Sequence, residues 1–123
     1  MKIGELARRS GRSAHTLRYY ERIGLLPPPR RDHSGQRDYD ASILTWLAFL
    51  ERLRATGMPI REMLDYAALR ERGEETASAR CALLETHRER IRGHISLLQA
   101  SLEVLDTKIE GYHAGPIERT QKT

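Results

Sequence analysis

Apolar residues recur at helical spacing in two short segments at the start of the chain. The first segment has its apolar residues on one side and ends in a glycine-containing turn; these residues are Ile3, Leu6 and Ala7, then Ser10, Gly11 and Arg12. The second covers residues 13–26, and its apolar line consists of Leu17, Tyr20 and Ile23. Both patterns predict amphipathic helices. Two short helices joined by a tight turn predict a helix-turn-helix, whose second helix enters the major groove of DNA.

The sequence marks both ends of the second helix. Ser13 is a suitable N-cap, because its hydroxyl can accept a hydrogen bond from a backbone N–H at the helix start. Gly24 suits the left-handed position just past the helix end. The side chains outside the apolar line carry hydrogen-bonding groups and positive charge, and they are His15, Thr16, Arg18, Tyr19 and Arg22. We therefore expect the front of this helix to read base edges.

A charged turn follows the second helix. Pro27, Pro28 and Pro29 end the helix, since proline fixes φ and has no N–H to donate. Ser34-Gly35 is then the centre of a turn between two short arms, which predicts a small β-ribbon, or wing. The arginines of this wing, Arg30, Arg31 and Arg37, would suit phosphates or a narrow minor groove. A charged surface loop is the alternative interpretation.

Two further helices are predicted after the wing. Asp40 is the expected cap of a helix that runs to Gly57 and carries Ile43, Leu44, Trp46, Leu47, Phe49, Leu50 and Leu53. So many apolar residues at helical spacing indicate core, with a ligand box around Trp46 and Phe49 as the alternative. Pro59 is expected in the first turn of the next helix, which ends near Arg72-Gly73.

Residues 74–112 show a heptad pattern. One register comprises Leu84, Ile91, Leu98, Leu105 and Tyr112, and the other comprises Cys81, Arg88, Ile95, Leu102 and Ile109. Alternating steps of three and four residues predict a coiled-coil seam, formed by Leu84, Ile91, Ile95, Leu98, Leu102, Leu105 and Ile109. At 1.5 Å per residue the helix would be about 55–60 Å long, so we expect it to pair with a second copy rather than fold back. Residues 113–123 are polar and are predicted to form a flexible tail.

The positive charge is concentrated in the first part of the chain. The 123 residues carry a formal net charge of +4. Residues 1–73 contain 14 Lys/Arg and 9 Asp/Glu, a net charge of +5, whereas residues 74–123 contain 7 and 8, a net charge of −1. Basic residues on solvated faces would give such an excess too, but here it coincides with the predicted helix-turn-helix, which favours a polyanionic partner.

Several classes of protein are disfavoured by what the sequence lacks. A single cysteine, Cys81, excludes an intramolecular disulfide, and no signal peptide or membrane span is evident, so we expect a cytoplasmic protein. No nucleophile elbow, phosphate loop or zinc-protease motif occurs, and we expect neither enzyme activity nor a cofactor or metal site. An architectural DNA-binding or protein-interaction module without an inducer is the alternative to a regulator.

The run Arg18-Tyr19-Tyr20-Glu21-Arg22-Ile23-Gly24-Leu25-Leu26-Pro27, followed by Arg37-Asp38-Tyr39, resembles the MerR family of bacterial transcription regulators. The resemblance implies a mainly α fold with a winged helix-turn-helix domain over residues 1–73 and a dimerisation helix over residues 74–112. It further implies a homodimer joined by an antiparallel coiled coil. Such dimers bind double-stranded promoter DNA and distort it so that RNA polymerase can engage both promoter elements.

The helix faces and the resemblance together give a set of predicted DNA-binding residues: Ser13, His15, Thr16, Arg18, Tyr19, Tyr20, Arg30, Arg37 and Tyr39. Gln36 stands where the family usually has an aromatic residue, which puts the packing of the wing in question.

Cys81 is the candidate sensor, because the resemblance places sensor cysteines at the start of the dimer helix. Three interpretations stay open for its thiol: packing in the seam, oxidation or alkylation as a redox or electrophile sensor, and soft-metal binding by Cys81 alone or with His87 or a residue of the partner subunit. His87 and His94 are otherwise expected to be solvated.

Overall fold

The computed structural model describes residues 1–115, and these residues form five α-helices, one 3₁₀ helix and one two-stranded sheet. In chain order the elements are α1 (Ile3–Ser10), α2 (Ala14–Ile23), β1 (Arg30–Arg31), β2 (Arg37–Asp38), α3 (Ile43–Ala55), α4 (Ile60–Glu71), the 3₁₀ helix (Glu74–Thr76) and α5 (Ala77–His113). The helix-turn-helix, the wing and the long C-terminal helix are all present. The predicted mainly α fold is therefore confirmed.

The chain divides into two compact units, one from Met1 to Leu84 and one that begins at Glu85. The first unit holds the hydrophobic core, which comprises Leu6, Leu17, Tyr20, Leu25, Leu26, Tyr39, Ile43, Trp46, Leu47, Leu50, Leu53, Met58, Met63, Tyr66 and Ala67. This core draws on α1 to α4 and on the segments between them. The predicted apolar sides of α1 and α2 both face it.

Trp46 of α3 connects the core to the end of α2. Its indole Nε1 donates a buried hydrogen bond of 2.8 Å to the backbone carbonyl of Leu25. Its ring stacks on Tyr66 of α4 at a centroid distance of 5.9 Å, and Phe49 contacts the same tyrosine at 5.5 Å. Because Trp46 is buried and its N–H is already engaged, the ligand-box alternative for Trp46 and Phe49 is not supported.

The starts of α3 and α4 differ from the sequence prediction by one or two residues. Asp40 was expected to cap α3, but the N-cap is Ser42, and Asp40 instead accepts a hydrogen bond of 2.9 Å from the Ser42 N–H. Pro59 was expected inside the first turn of α4, but it is the N-cap and has extended backbone angles. Asp40 uses its carboxylate to form a turn two residues ahead, so α3 starts after that turn. The φ of Pro59 suits a helix, but its ψ is extended, so α4 starts at the next residue.

Helix α5 belongs to both units. Leu83 and Leu84 near its start pack, partly buried, against the core of the first unit. Leu84 was predicted as a seam residue, so its apolar surface is already partly used within the chain. His87 is buried with 4 % of its surface exposed, and the expectation that it is solvated is wrong. It lies three residues after Leu84 and four after Leu83, which places all three on one face of the helix.

The predicted tail begins within the described residues. His113 is the last residue of α5, and Ala114 N–H donates to the Glu110 carbonyl at 2.9 Å, which extends the last turn. The rest of the predicted tail, residues 116–123, lies outside the described residues. No helix in the described part of the chain is long and apolar enough to cross a membrane.

The hydrogen bond from Trp46 to Leu25 should contribute measurably to stability. Trp46→Phe leaves the Leu25 carbonyl buried without its donor, and we expect the free energy of unfolding to fall by about 1–3 kcal/mol. Tyr66→Phe is the matched control, because the Tyr66 hydroxyl makes no hydrogen bond within residues 1–115, and we expect a change within about 0.5 kcal/mol. Urea denaturation at one protein concentration measures both. Equal losses in the two variants would contradict the assignment.

Candidate nucleic-acid interface

Helix α2, the second helix of the helix-turn-helix and therefore the predicted recognition helix, begins and ends at the residues that the sequence predicts. Ser13 Oγ accepts a hydrogen bond of 3.0 Å from the Thr16 N–H and donates one of 3.0 Å to the Thr16 hydroxyl. Gly24 follows the helix with φ of 95°, and its N–H donates to the Tyr20 and Glu21 carbonyls. An L residue with a side chain rarely adopts that φ. The helix therefore has a fixed start and end.

Three of the predicted contact residues on α2, namely His15, Arg18 and Tyr19, are exposed, and Thr16 is half-buried. Arg18 makes no hydrogen bond or ion pair with any residue in the described chain, 1–115. Tyr19 is 42 % exposed, and the Arg22 guanidinium lies 5.5 Å from the centre of its ring. This cation–π contact links residues three positions apart and orients the tyrosine ring.

The wing is an antiparallel ribbon in which Arg30 pairs with Asp38 and Arg31 pairs with Arg37. Its turn is built on Asp32. One carboxylate oxygen, Oδ1, accepts from the Ser34 N–H at 2.9 Å, the Ser34 hydroxyl at 2.7 Å and the Gln36 N–H at 3.0 Å. The other oxygen, Oδ2, pairs with Lys2 Nζ. Together these bonds hold the pKa of Asp32 well below its ordinary value, with the Lys2 contact as the largest cause.

The first residue of the chain contacts the second strand of the wing. The amino nitrogen of Met1 donates to Asp38 Oδ1 at 2.9 Å and to the Tyr39 carbonyl at 2.7 Å, and the Tyr39 N–H donates to the Met1 carbonyl at 2.7 Å. The amino group lowers the pKa of the Asp38 carboxyl. These bonds, with the Lys2–Asp32 pair, join the wing to the residues that lead into α1.

Glu21 and Arg37 join the recognition helix to the wing. Arg37 Nε donates to both carboxylate oxygens of Glu21, at 3.0 and 3.1 Å. The Glu21 side chain is 16 % exposed and that of Arg37 is 35 % exposed. Beside this pair lies a notch of about 360 Å³, which we call the helix–wing notch; its lining includes Lys2, Arg18, Arg31, Gln36 and Arg37. Four cationic side chains therefore surround one concave site.

Two predicted DNA contacts require correction. Tyr20 is 5 % exposed and Tyr39 is 4 % exposed, so neither ring presents a surface to a ligand. The Tyr20 hydroxyl accepts a hydrogen bond of 3.1 Å from Arg54 Nη1. Burial raises the pKa of Tyr39 above its ordinary value, and the Glu21 carboxylate acts in the same direction. Both tyrosines belong to the hydrophobic core: Tyr20 lies on the apolar side of α2, and Tyr39 directly follows β2.

The structure thus brings together some predicted residues and not others. Arg18 and Arg37 line the helix–wing notch, whereas Arg30 lines a separate cavity of about 180 Å³ with Asp40 and Arg70. Sequence reasoning gave no role to Glu21 or Lys2. No local signal identifies them, since their partners in the wing lie 16 and 30 positions along the chain.

Cys81 is exposed on α5. Within residues 1–115, no three His, Cys, Asp or Glu side chains come together in a way that could hold a metal ion.

The sequence matches two family models, and both are models of MerR proteins. One is described as the MerR HTH family regulatory protein and matches residues 1–68. The other is described as MerR, DNA binding, and matches residues 44–108.

Two curated relatives illustrate the range of similarity. The HTH-type transcriptional regulator AdhR of Bacillus subtilis is 41 % identical over 91 residues, which cover 74 % of this chain and 65 % of AdhR. The present chain therefore spans less than two thirds of that relative. An HTH-type transcriptional regulator of Haemophilus influenzae is 34 % identical over 106 residues, which cover 86 % of this chain and 78 % of the relative.

Solved structures agree with the fold. A MerR family transcriptional regulator from Listeria monocytogenes superposes with a TM-score of 0.85 at 40 % identity, over 99 % of this chain and 92 % of the other. HiNmlR, described as a MerR family regulator lacking the sensor domain and bound to promoter DNA, superposes with a TM-score of 0.79 at 32 % identity, over 92 % of this chain and 90 % of the other.

The lowered pKa of Asp32 gives a prediction for the wing in acid. A carboxyl whose pKa is lower in the folded protein stabilises the fold above its ordinary pKa, about 3.9, and that contribution is lost as the pH falls through the lowered value. We therefore expect the amide resonances of Ser34 and Gln36 to titrate with a midpoint clearly below 3.9 by NMR. Lys2→Met should raise this midpoint toward the ordinary value. A wild-type midpoint at or above 3.9 would show that the turn does not depend on the ionised carboxylate.

Proposed function

The chain belongs to the MerR family of helix-turn-helix transcriptional regulators, and from this membership we propose that it binds promoter DNA as a homodimer and distorts it to control transcription. Its relatives are transcriptional regulators rather than enzymes, and on that ground the expectation of a non-enzymatic regulator is confirmed. We further propose that it acts in the cytoplasm, where promoter DNA is accessible in bacteria.

One observation carries the DNA-binding proposal. His15 and Arg18 are exposed on α2, and Arg18 lines the helix–wing notch together with two arginines of the wing, Arg31 and Arg37. A helix in the major groove reads base edges through such side chains, while the wing neutralises phosphates of the flanking backbone. Arg18, with no protein partner in residues 1–115, has its full donor set available for a guanine or a phosphate.

The surface of α5 supports the dimer. Most of the predicted seam residues are about half exposed: Ile95 47 %, Leu98 52 %, Leu102 58 %, Leu105 55 % and Ile109 50 %. A row of large apolar side chains on one face of a 37-residue helix is stable in water only if it is covered. A second copy in antiparallel orientation offers the same row, so the seam is self-complementary, as two-fold symmetry requires.

We propose that the two DNA-binding domains of the dimer, residues 1–73 of each chain and here called heads, bind a near-palindromic site and bend the DNA between them. Bending and untwisting a promoter costs several kcal/mol, on the order of 1–6 by elastic estimates, and phosphate contacts by the heads and wings offset that cost. RNA polymerase would then engage promoter elements whose spacing is otherwise unfavourable.

We propose Cys81 as the residue through which a small signal reaches the dimer. Its support is limited to two facts: it is the one cysteine of the sequence, and it is exposed near the start of α5. Oxidation or alkylation of a thiol there would add bulk and polarity beside the seam.

The seam can be tested with neighbouring residues. Leu98→Asp puts a carboxylate into the proposed apolar interface, and we expect the dimer dissociation constant to rise at least about 100-fold, because a buried charge without a partner is strongly disfavoured. Leu97→Asp is the matched control, since Leu97 is 64 % exposed and lies one residue outside the heptad seam. Analytical ultracentrifugation measures both variants. Dimers of equal strength would refute the seam.

DNA recognition is tested by selection from a randomised 40-base-pair duplex library, followed by in vitro transcription from a promoter that contains the selected site. We expect Arg18→Ala to lower affinity for the selected duplex about 10- to 100-fold, as for loss of a bidentate contact. Arg92→Ala is the control, because it removes the same charge from α5, where Arg92 pairs with Glu89 at 2.9 Å. If wild type selects no sequence, the proposal of a sequence-specific regulator fails.

The same transcription assay separates the remaining alternatives. If an oxidant, an aldehyde or a soft metal changes transcription by wild type but not by Cys81→Ser, Cys81 is the sensor. If both proteins respond alike, Cys81 is a packing or surface residue. Bending of the selected duplex with no change in transcription under any condition would indicate an architectural DNA-binding protein instead.

A further inference from the structure

The guanidinium of Arg37 is bound to Glu21 through Nε, and its side chain also lines the helix–wing notch. On one side its Nε donates to both oxygens of Glu21, at 3.0 and 3.1 Å. Its two terminal nitrogens, Nη1 and Nη2, make no hydrogen bond with any residue in the described part of the chain, and the side chain lines the helix–wing notch. A guanidinium has five N–H donors in a fixed plane, so binding through Nε leaves four donors for another acceptor.

The other cations of the helix–wing notch differ in how far they are engaged. Lys2 pairs with Asp32, and Arg31 Nη1 donates to the Gly35 carbonyl at 3.0 Å. Arg18 is exposed and has no hydrogen-bond or ion-pair partner among residues 1–115. Arg18 and the terminal nitrogens of Arg37 are therefore donors available in this notch, together with the remaining N–H groups of Arg31. One arginine comes from the recognition helix and the other two from the wing.

A backbone phosphate fits this arrangement of donors. Phosphate oxygens accept paired N–H groups from a guanidinium, and arginine forks give such contacts a defined direction. A long arginine side chain on a two-residue strand would otherwise adopt many rotamers, and fixing it would oppose binding. The carboxylate of Glu21, 16 % exposed, holds one edge of the guanidinium before any DNA arrives.

We propose that the helix–wing notch binds one backbone phosphate of duplex DNA, and that Glu21 is a positioning residue which holds Arg37 by Nε so that its terminal nitrogens meet that phosphate. This inference rests on the proposed function and extends it to a residue that acts on DNA only through Arg37. Glu21 also fixes the wing at a set distance from α2, so the phosphate contact and the base contacts are made in one register.

Removing Glu21 should change DNA affinity in the opposite direction to the one that charge repulsion alone predicts. Glu21 is negatively charged and lies close to the proposed phosphate. If it had no positioning role, its removal would lower repulsion and tighten DNA binding. If it positions Arg37, its removal releases the guanidinium and weakens binding, despite the more favourable net charge. The direction of the change therefore distinguishes the two.

The experiment measures the salt dependence of DNA binding by the full chain, with a mixed-sequence 40-base-pair duplex and with the duplex selected by wild type. Each phosphate contact contributes about 0.9 to the slope of log association constant against log salt concentration. With one notch in each subunit, we expect Arg37→Ala to reduce the slope by about 2 and affinity about tenfold or more. Glu21→Ala should reproduce most of both effects, and Glu21→Ala/Arg37→Ala should be no worse than Arg37→Ala.

Glu5→Ala is the matched control, because it removes a carboxylate that is also paired with an arginine, Arg9 at 3.3 Å, outside the notch. Its slope should equal that of wild type. Arg37→Lys is a second test that keeps the charge: one ammonium cannot bond Glu21 and a phosphate in the same way, so the slope should fall by at least 1. Thermal melting without DNA verifies folding, and if Glu21→Ala is unfolded at the assay temperature, Arg37→Lys decides the matter.

The outcomes separate this inference from the proposed function. A slope for Glu21→Ala that equals or exceeds that of wild type, with Arg37→Lys unchanged, would overturn the positioning role even where wild type selects a sequence. Conversely, if wild type selects no sequence but Glu21→Ala still flattens the slope with the mixed-sequence duplex, the notch stands and sequence-specific regulation fails.

Discussion

The half-buried ion pair between Glu21 and Arg37 fixes the position of the wing relative to the recognition helix. Breaking such a pair from one side leaves a partly desolvated charge, so both partners depend on each other. Tyr39 lies nearby, and burial together with the Glu21 carboxylate raises its pKa above the ordinary value near 10. The hydroxyl is therefore neutral at physiological pH and adds no negative charge behind the cationic notch.

The pair is effective only because the helix that carries Glu21 is itself fixed. Ser13 sets the start of α2, and Gly24 ends it in a left-handed turn that directs Leu25 and Leu26 into the core. Trp46 then bonds the Leu25 carbonyl from α3. A shift of α3 would thus be transmitted to the end of α2 and, through Glu21, to the wing. Precise placement of surface arginines here depends on an apolar core only a few residues away.

The sequence predicted the features that have local causes. A serine cap, a glycine after the helix and a glycine turn in the wing each act within four residues, so Ser13, Gly24 and the Ser34-Gly35 turn could be identified by spacing. The long heptad pattern is likewise a property of one helix. The Glu21–Arg37 pair could not be found this way, because it depends on how separate elements pack. Packing also decides the roles of Tyr20 and Tyr39, which were predicted to contact DNA. A tyrosine side chain suits either a phosphate contact or a hydrophobic core, and only its burial in the folded protein distinguishes the two roles.

One head can neutralise only a few DNA phosphates, and a dimer would overcome this limit on affinity. A single helix–wing notch and the exposed side of α2 offer a small number of cations, and non-specific affinity rises with each phosphate contact. Joining two heads makes the second contact intramolecular, so the affinities combine without any new type of interaction. In the dimer that we propose, the apolar row on α5 makes that connection, and DNA binding then depends on protein concentration, since a monomer would expose the row and lose the second DNA-binding domain. A change at the dimer helix would therefore alter promoter binding without altering any residue that contacts DNA.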